Sequence, residues 1–301
     1  MKRIAYRFFL IVLLSVLAVE VFPVSAQEGS WFDEGNYDEE WLDKNFDNDV
    51  MIISTPEEFA AFGEYMTRSL WNYPNKTVRL AADMDMSAHI WETPSIKNYF
   101  RGVFDGLSGL FGSVRGTSEI RNLELDETCR IACAKEYDFF FGDLEFQIGT
   151  IAASAIGDVR FSHCVNRADV VFTPWLQKTD SHEMVCSVSG LVAHADGATI
   201  DHCSNDGEII VDIGEHSDLT DVWVSGLVGR SRSVYEKGGS LISSVNEGNI
   251  SVSNAKGDIF VGGLSSNYTF RIDSCENHSV VKVNAREAVS YTHLTLPTNR
   301  E

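Results

Sequence analysis

Few residues in this 301-residue chain are spaced for chemistry, and each candidate set is incomplete. His182-Glu183-Met184-Val185-Cys186 begins like a zinc-protease helix, in which two His one turn apart hold the metal and a Glu acts as base. The second His, four residues on, is missing. Asp83 and Asp85 share a strand face by period 2, which would start the calcium-binding centre of a polysaccharide lyase. That chemistry also needs a basic residue to accept a proton, and no Lys or Arg is clearly placed with the pair. His163 and His202 each precede a Cys at equivalent places and read as turn residues rather than ligands. Cys129, Cys133, Cys164, Cys186, Cys203 and Cys275 form no C-x-x-C motif, which excludes zinc-ribbon and thioredoxin-type sites. Nucleophile elbows, P-loops and dinucleotide fingerprints are absent. No catalytic, metal or cofactor-binding residue is assigned, and no cofactor is expected.

Around these residues the chain divides by composition. Residues 1–26 carry Lys2, Arg3 and Arg7, an apolar run from Phe8 to Val19, and Val24-Ser25-Ala26. This is the order of a cleaved secretory signal, and the run is too short to span a bilayer. The expected location is therefore secreted or outer cell surface. Residues 27–53 are an acidic lead-in with Trp31, Phe32, Tyr37, Trp41 and Phe46 interleaved, so rings should dock on the body while the acids stay solvated. At the other end, residues 289–301 break the preceding pattern. Residues 289–298 resemble a translated sequencing adapter, which implies a reading frame cut near Ala288 and a non-native tail. The net charge of −20 repels phosphate backbones, so nucleic acid is not an expected partner.

Residues 54–108 read as a cap. Thr55-Pro56-Glu57-Glu58 combines an N-cap, a first-turn proline and a capping box, and Phe59, Phe62, Met66 and Leu70 make one apolar stripe. Residues 77–81 alternate like a strand. From residue 109 to 288 the chain repeats itself. Gly226-Leu227-Val228-Gly229 is the cleanest copy of a phrase that recurs as Gly109-Leu110-Phe111-Gly112, Gly190-Leu191-Val192-Ala193 and Gly263-Leu264-Ser265-Ser266. Asn166, Asn205, Asn246 and Asn277 recur in step.

Four and six residues past each Asn the side chain is apolar: Val170 and Phe172, Ile209 and Val211, Ile250 and Val252, Val281 and Val283. The same parity precedes each Gly at Cys186 and Val188, Val222 and Val224, Ile259 and Val261, whereas Gln147 makes the copy around Gly149 fit poorly. Short strands with one buried face, without helical periods, predict an all-β, right-handed parallel β-helix closed by an N-terminal capping helix.

Spacing suggests two circuits per repeat, which would put equivalent residues roughly 9–10 Å apart, too far for disulfides among Cys164, Cys203 and Cys275. Cys129 and Cys133 are close enough in sequence to pair. Asn tolerates positive φ, so the Asn positions read as tight turns, with Gly207 and Gly248 serving the same turns and the amides stacking along the axis.

The order Ile53-Ser54-Thr55-Pro56-Glu57-Glu58-Phe59, then residues 76–87, Trp91, and Phe100-Arg101-Gly102-Val103-Phe104-Asp105-Gly106, resembles the opening of GLUG-repeat, adhesin-like surface proteins of Bacteroidales. The resemblance spans roughly residues 52–283. It departs in that only Leu107 and Ser108 separate Asp-Gly from the first Gly-Leu-x-Gly. It implies a β-solenoid and cell-surface adhesion or contact with a glycan or a host or cell-surface protein; the missing catalytic sets add the expectation of a non-catalytic protein, monomeric at full length. The loops at residues 174–183 and 215–221 are the expected contact points. A passive stalk for a further domain and a lyase-like enzyme are the rival readings.

Overall fold

The computed structural model describes residues 29–68, 76–86, 88–89, 91, 102–105, 111–133, 136–138, 144–173, 175–177, 184–214, 221–230, 239–255, 257–266, 270–285 and 291–293. Residues 1–26, where a secretory signal is expected, lie outside them. Among the described residues no helix is long and apolar enough to cross a membrane. The architecture is all-β, with parallel sheets, few helices and no closed barrel.

Five sheets carry the repeats, here numbered in the order each repeat meets them from Phe111 onward. Sheet I holds Phe111–Arg115, Ala152–Ile156, Val192–Asp196 and Val228–Arg230. Sheet II is the longest, with eight strands. It starts in the lead-in and cap with Val50–Ile53, Lys76–Leu80 and Gly102–Asp105, then takes Glu119–Arg121, Arg160–Ser162, Thr199–Asp201, Ser240–Ile242 and Arg271–Asp273. Sheet III stacks short strands from Glu124–Leu125 to Glu276–Asn277, each after the first bearing an Asn. Sheet IV runs from Arg130–Cys133 to Val281–Ala285, and sheet V from Leu144–Gly149 to Tyr291–His293. Tyr291–His293, in the segment set apart by its sequence, thus pairs in parallel with Ile259, Phe260 and Val261.

One repeat is one circuit through five sheets, not two circuits. Asn205 pairs directly with Asn166 on one side and Asn246 on the other, and Val192 with Ala152 and Val228. Equivalent residues are therefore hydrogen-bonded strand neighbours, roughly 4.8 Å apart. The spacing misleads because each half-repeat is long enough for a short circuit. The half-repeats instead visit different sheets. The register also moves the first copy by one residue: Gly149 aligns with Ser189, so Thr150 takes the place of Gly190. Phe146 and Ile148 then face inward beside Cys186 and Val188, and Gln147 aligns with Ser187 on the other face.

The interior is divided in two. Val170, Phe172, Ile209, Val211, Ile250 and Val252 of sheet IV meet Cys186, Val188, Val222, Val224, Ile259 and Val261 of sheet V. All are buried, as the period-2 pattern requires. A second core joins sheets I and II through Val114, Ala155, Phe161, Leu191, Ile200, Leu227 and Leu241. Each buried aliphatic contributes about 1.5–3 kcal/mol before chain entropy is counted.

A polar seam separates the two cores. Asn166, Asn205 and Asn246 are fully buried. Nδ2 of each donates to Oδ1 of the next Asn, at 2.7, 2.8 and 3.0 Å down to Asn277. Nδ2 also donates to the carbonyl two residues on, that of Ala168, Gly207 or Gly248. The first glycines of three motif copies, Gly190, Gly226 and Gly263, face this ladder. A Cβ on Gly190 would collide with the Asn205 side chain and the Gly226 carbonyl, and one on Gly226 with Asn246 and the Gly263 carbonyl. Gly and Asn are two halves of one contact.

The turn reading of the Asn residues is corrected accordingly. They are strand residues. The left-handed positions lie three residues earlier, at His163, His202, Ser243 and Ser274, with Asn122 equivalent in the first circuit, all at φ +46° to +56°. Gly207 and Gly248 do not have left-handed φ either. Their place is fixed by close approach of the preceding circuit, since a Cβ would strike the carbonyls of Ala168 and Gly207.

The cap and lead-in seal the first end. Helix α1, Trp41–Asn45, and helix α2, Pro56–Arg68, precede the repeats. Glu58 N donates to Thr55 Oγ1, and Ser54 N donates to Glu58 Oε2 at 2.6 Å, so the capping box forms one residue displaced. Phe59 and Phe62 join the core of sheets I and II, whereas Leu70 and the Met66 side chain lie outside the described part. Trp31 and Trp41 of the lead-in are buried and donate to the Met86 and Ile52 carbonyls, while Phe46 stays exposed.

Replacing Asn205 by Ala removes two donated bonds and leaves Asn166 Nδ2 without its Asn205 acceptor. The expected loss is about 2–4 kcal/mol, read as a lower urea midpoint at unchanged slope. Gly226→Ala should prevent stable folding, seen as loss of the cooperative transition.

Candidate functional site

The sequence candidates do not assemble into a catalytic centre. Asp83 and Asp85 lie beyond the end of Lys76–Leu80, in a non-strand segment, and both are exposed; they share no strand face. Met184–Ser189 is a strand, so the residues after His182 and Glu183 are not helical; those two lie outside the described residues. Of the two contact loops, 174 and 178–183 lie outside, and Trp175–Gln177 pairs in parallel with Glu136–Asp138. Of residues 215–221, only Asp221 is described. Among the described residues no three His, Cys, Asp or Glu converge on a metal position.

The cysteines serve the backbone. Cys129, Cys164, Cys186, Cys203 and Cys275 are free thiols, so Cys129 forms no disulfide. With one circuit per repeat, Cys164 and Cys203 stand side by side, within the Cα range that a disulfide can span. The distance argument against pairing them therefore fails. In their free form Cys164 N donates to Cys203 Sγ at 3.4 Å, Cys203 N to Ser244 Oγ at 3.1 Å, and Ser244 N to Cys275 Sγ at 3.4 Å. A small acceptor side chain thus takes the N–H that follows each left-handed residue. The exchange of Cys for Ser in this column was the signal for that role. Burial pushes the Cys186 thiol up to about 12 and raises Cys203 as well, which makes both poor nucleophiles.

Two surface features remain. The first is the turn joining sheets II and III. His163 and His202, at φ +54° and +53°, stack with ring centroids 5.2 Å apart and planes within 9°. His202 Nδ1 lies 2.7 Å from Asp201 Oδ1, and Arg160 pairs with Asp201 Oδ2. Burial raises the Asp201 pKa, but the bonds from His202 and Arg160 outweigh it and hold the carboxyl below its ordinary value.

The second is the outer face of sheet V. Trp223 and Phe260 occupy successive circuits in register and stack at 3.9 Å and 16°. Arg230 sits over the Trp223 ring at 5.7 Å, and Asp221 and Asp258 begin the same two strands. Both rings are part-exposed. The parity that buries Val222 and Val224 forces Trp223 outward, so this feature was readable from the alternation that located the core.

Comparison of the chain with protein-family models, with curated proteins and with solved structures returns no match.

A charged column runs beside the Asn ladder. Arg167 pairs with Glu124 and lies 3.7 Å from Asp206, and His278 bridges Glu247 at 2.7 Å and Glu276 at 2.9 Å. The bond and charge of Glu247, then Glu276, raise the His278 pKa above the ordinary 6.5. A raised imidazole stabilises the folded state fully below pH 6.5, and that contribution disappears as pH climbs through the higher folded value. Thermal melts from pH 6 to 8 should therefore include a downward component that His278→Gln removes.

Proposed function

We propose that this chain is a right-handed parallel β-helix, secreted or held at the cell surface, that binds glycans through its flank and catalyses nothing. Three observations support the helical reading. Every sheet takes its strands in repeat order, all pairings between repeats are parallel, and equivalent residues stay in register through successive circuits. Parallel crossovers in a single sheet are right-handed in almost all cases. The resemblance of the cap and the Gly-Leu-x-Gly phrase to GLUG-repeat, adhesin-like proteins points the same way, and the basic and apolar pattern of residues 1–26 supports export.

The Trp223–Phe260 stack carries the glycan reading. Sugar rings bind proteins by laying C–H faces on aromatic rings while flanking carboxylates and guanidinium groups bond to hydroxyls. Sheet V supplies Trp223 and Phe260 with Asp221 and Asp258, and Arg230 reaches Trp223 from the end of a sheet I strand. The net charge of −20 favours neutral over sulfated or uronic glycans. A passive stalk is favoured by the same regular stacking. The lyase reading has lost its starting pair, because Asp83 and Asp85 do not share a strand.

Binding to immobilised neutral glycans should be measurable on a glycan array. Trp223→Ala and Phe260→Ala should each weaken it at least tenfold, as truncating an aromatic anchor does at other binding sites. Unchanged circular dichroism would exclude a folding defect. Retention of no glycan, or equal retention by the Trp223→Ala variant, would leave the stalk reading.

A further inference from the structure

We propose that His163 and His202 form a two-imidazole site for a divalent first-row transition metal, with Cu(II) and Zn(II) as the best-suited ions and Asp201 as the positioning residue. The placement comes from the fold. Both residues occupy the same left-handed turn in consecutive circuits, so their side chains leave the backbone in the same direction and their rings lie parallel, 5.2 Å apart. Both are exposed, so neither ring is held by packing. An ion coordinated at about 2.0–2.1 Å by two nitrogens at a tetrahedral angle needs those nitrogens roughly 3.3 Å apart. Tilting two exposed rings toward each other closes that gap without moving the backbone.

Asp201 supplies the second element. Its Oδ1 lies 2.7 Å from His202 Nδ1, so the ring donates Nδ1–H to the carboxylate and keeps its Nε2 lone pair free for an ion. A carboxylate behind an imidazole fixes the tautomer and raises ligand basicity, as second-shell carboxylates do at metal sites. Asp201 is itself held by Arg160 through its other oxygen, which gives the carboxylate a fixed orientation and neutralises the guanidinium beside the site. Two other described histidines are placed differently. His194 is buried, and both ring nitrogens of His278 face carboxylates. Imidazole donors favour Cu and Zn over Mg or Ca, and the net charge of −20 concentrates cations near the surface. Water completes the coordination, since no third ligating side chain converges there among the described residues.

A built-in control separates binding from turn geometry. Asn122 holds the equivalent turn in the first circuit at φ +54°, so His163→Asn and His202→Asn keep a residue the turn accepts. Titration calorimetry with CuCl2 and with ZnCl2, in excess Mg2+ to fill surface carboxylates, should give one saturable site per chain. Each His→Asn variant should weaken it at least tenfold. Asp201→Asn should weaken it about 10–100-fold, the usual second-shell effect. In NMR spectra the ring signals of His163 and His202 should move together on titration, and His278→Gln should leave binding unchanged. Equal binding by the wild type and the His163→Asn, His202→Asn double variant would overturn the site, and so would metal shifts confined to Asp and Glu.

Discussion

The structure depends on one buried contact, the meeting of the asparagine amides with the motif glycines. A circuit of about 40 residues is too wide to fill with one apolar core, so sheets IV and V close around one and sheets I and II around the other. Something must hold the two halves together at the waist. A Gly there allows the chain to press against the opposite wall, and an Asn fills the remaining space with an amide that bonds along the axis. A buried amide without partners would be costly, so the arrangement works only when circuits stack in register. The same contact therefore sets both the cross-section and the spacing. Asn166, Asn205 and Asn246 each bond to the next Asn, and Gly190, Gly226 and Gly263 each face an Asn.

This dependence explains what was legible in the sequence. The alternation around Val170, Ile209, Val222 and Ile259 identified strands and their buried faces because burial on one face leaves a period of 2. The capping box at Thr55 and Glu58 was equally local. The circuit length was not legible. It depends on which strands pair, and neither Asn nor Gly spacing states that. The error then carried into the cysteines, where a doubled spacing made Cys164 and Cys203 look remote when they are neighbours. Asn was assigned to the wrong backbone position for a related reason. Its tolerance of positive φ is a local propensity, but at Asn166, Asn205 and Asn246 the side chain is selected by a partner across the waist. Of the residues that do adopt positive φ, His163 and His202 read as turn residues from the sequence, whereas Ser243 and Ser274 carry no strong turn signal.

A stacked repeat separates its sequence into columns, and the columns differ in freedom. Inward columns are restricted to apolar side chains, and the waist to Asn and Gly after the first circuit, which has Leu125 and Thr150 there. The column after each left-handed turn needs a small acceptor, which is why Cys164, Cys203, Ser244 and Cys275 exchange thiol for hydroxyl without changing role. Outward columns carry no such restriction. They vary from circuit to circuit: Gln147, Trp223 and Phe260 in one, where the remaining member Ser187 is buried, and Asn122, His163, His202, Ser243 and Ser274 in another.

Function on such a scaffold arises where two unrestricted residues of matching chemistry fall in consecutive circuits. Stacking fixes their separation at roughly one strand spacing. Two aromatics then become a continuous apolar surface, as Trp223 and Phe260 do, and two imidazoles become a pair within reach of one ion, as His163 and His202 do. Neither pair needs a loop to build it, and neither disturbs the interior, because both sit on faces the core does not use. A single side chain in either place would have little chemistry, since a lone exposed His or Trp is ordinary. The repeat supplies the second copy at a fixed distance, and that geometry turns common surface residues into candidate sites.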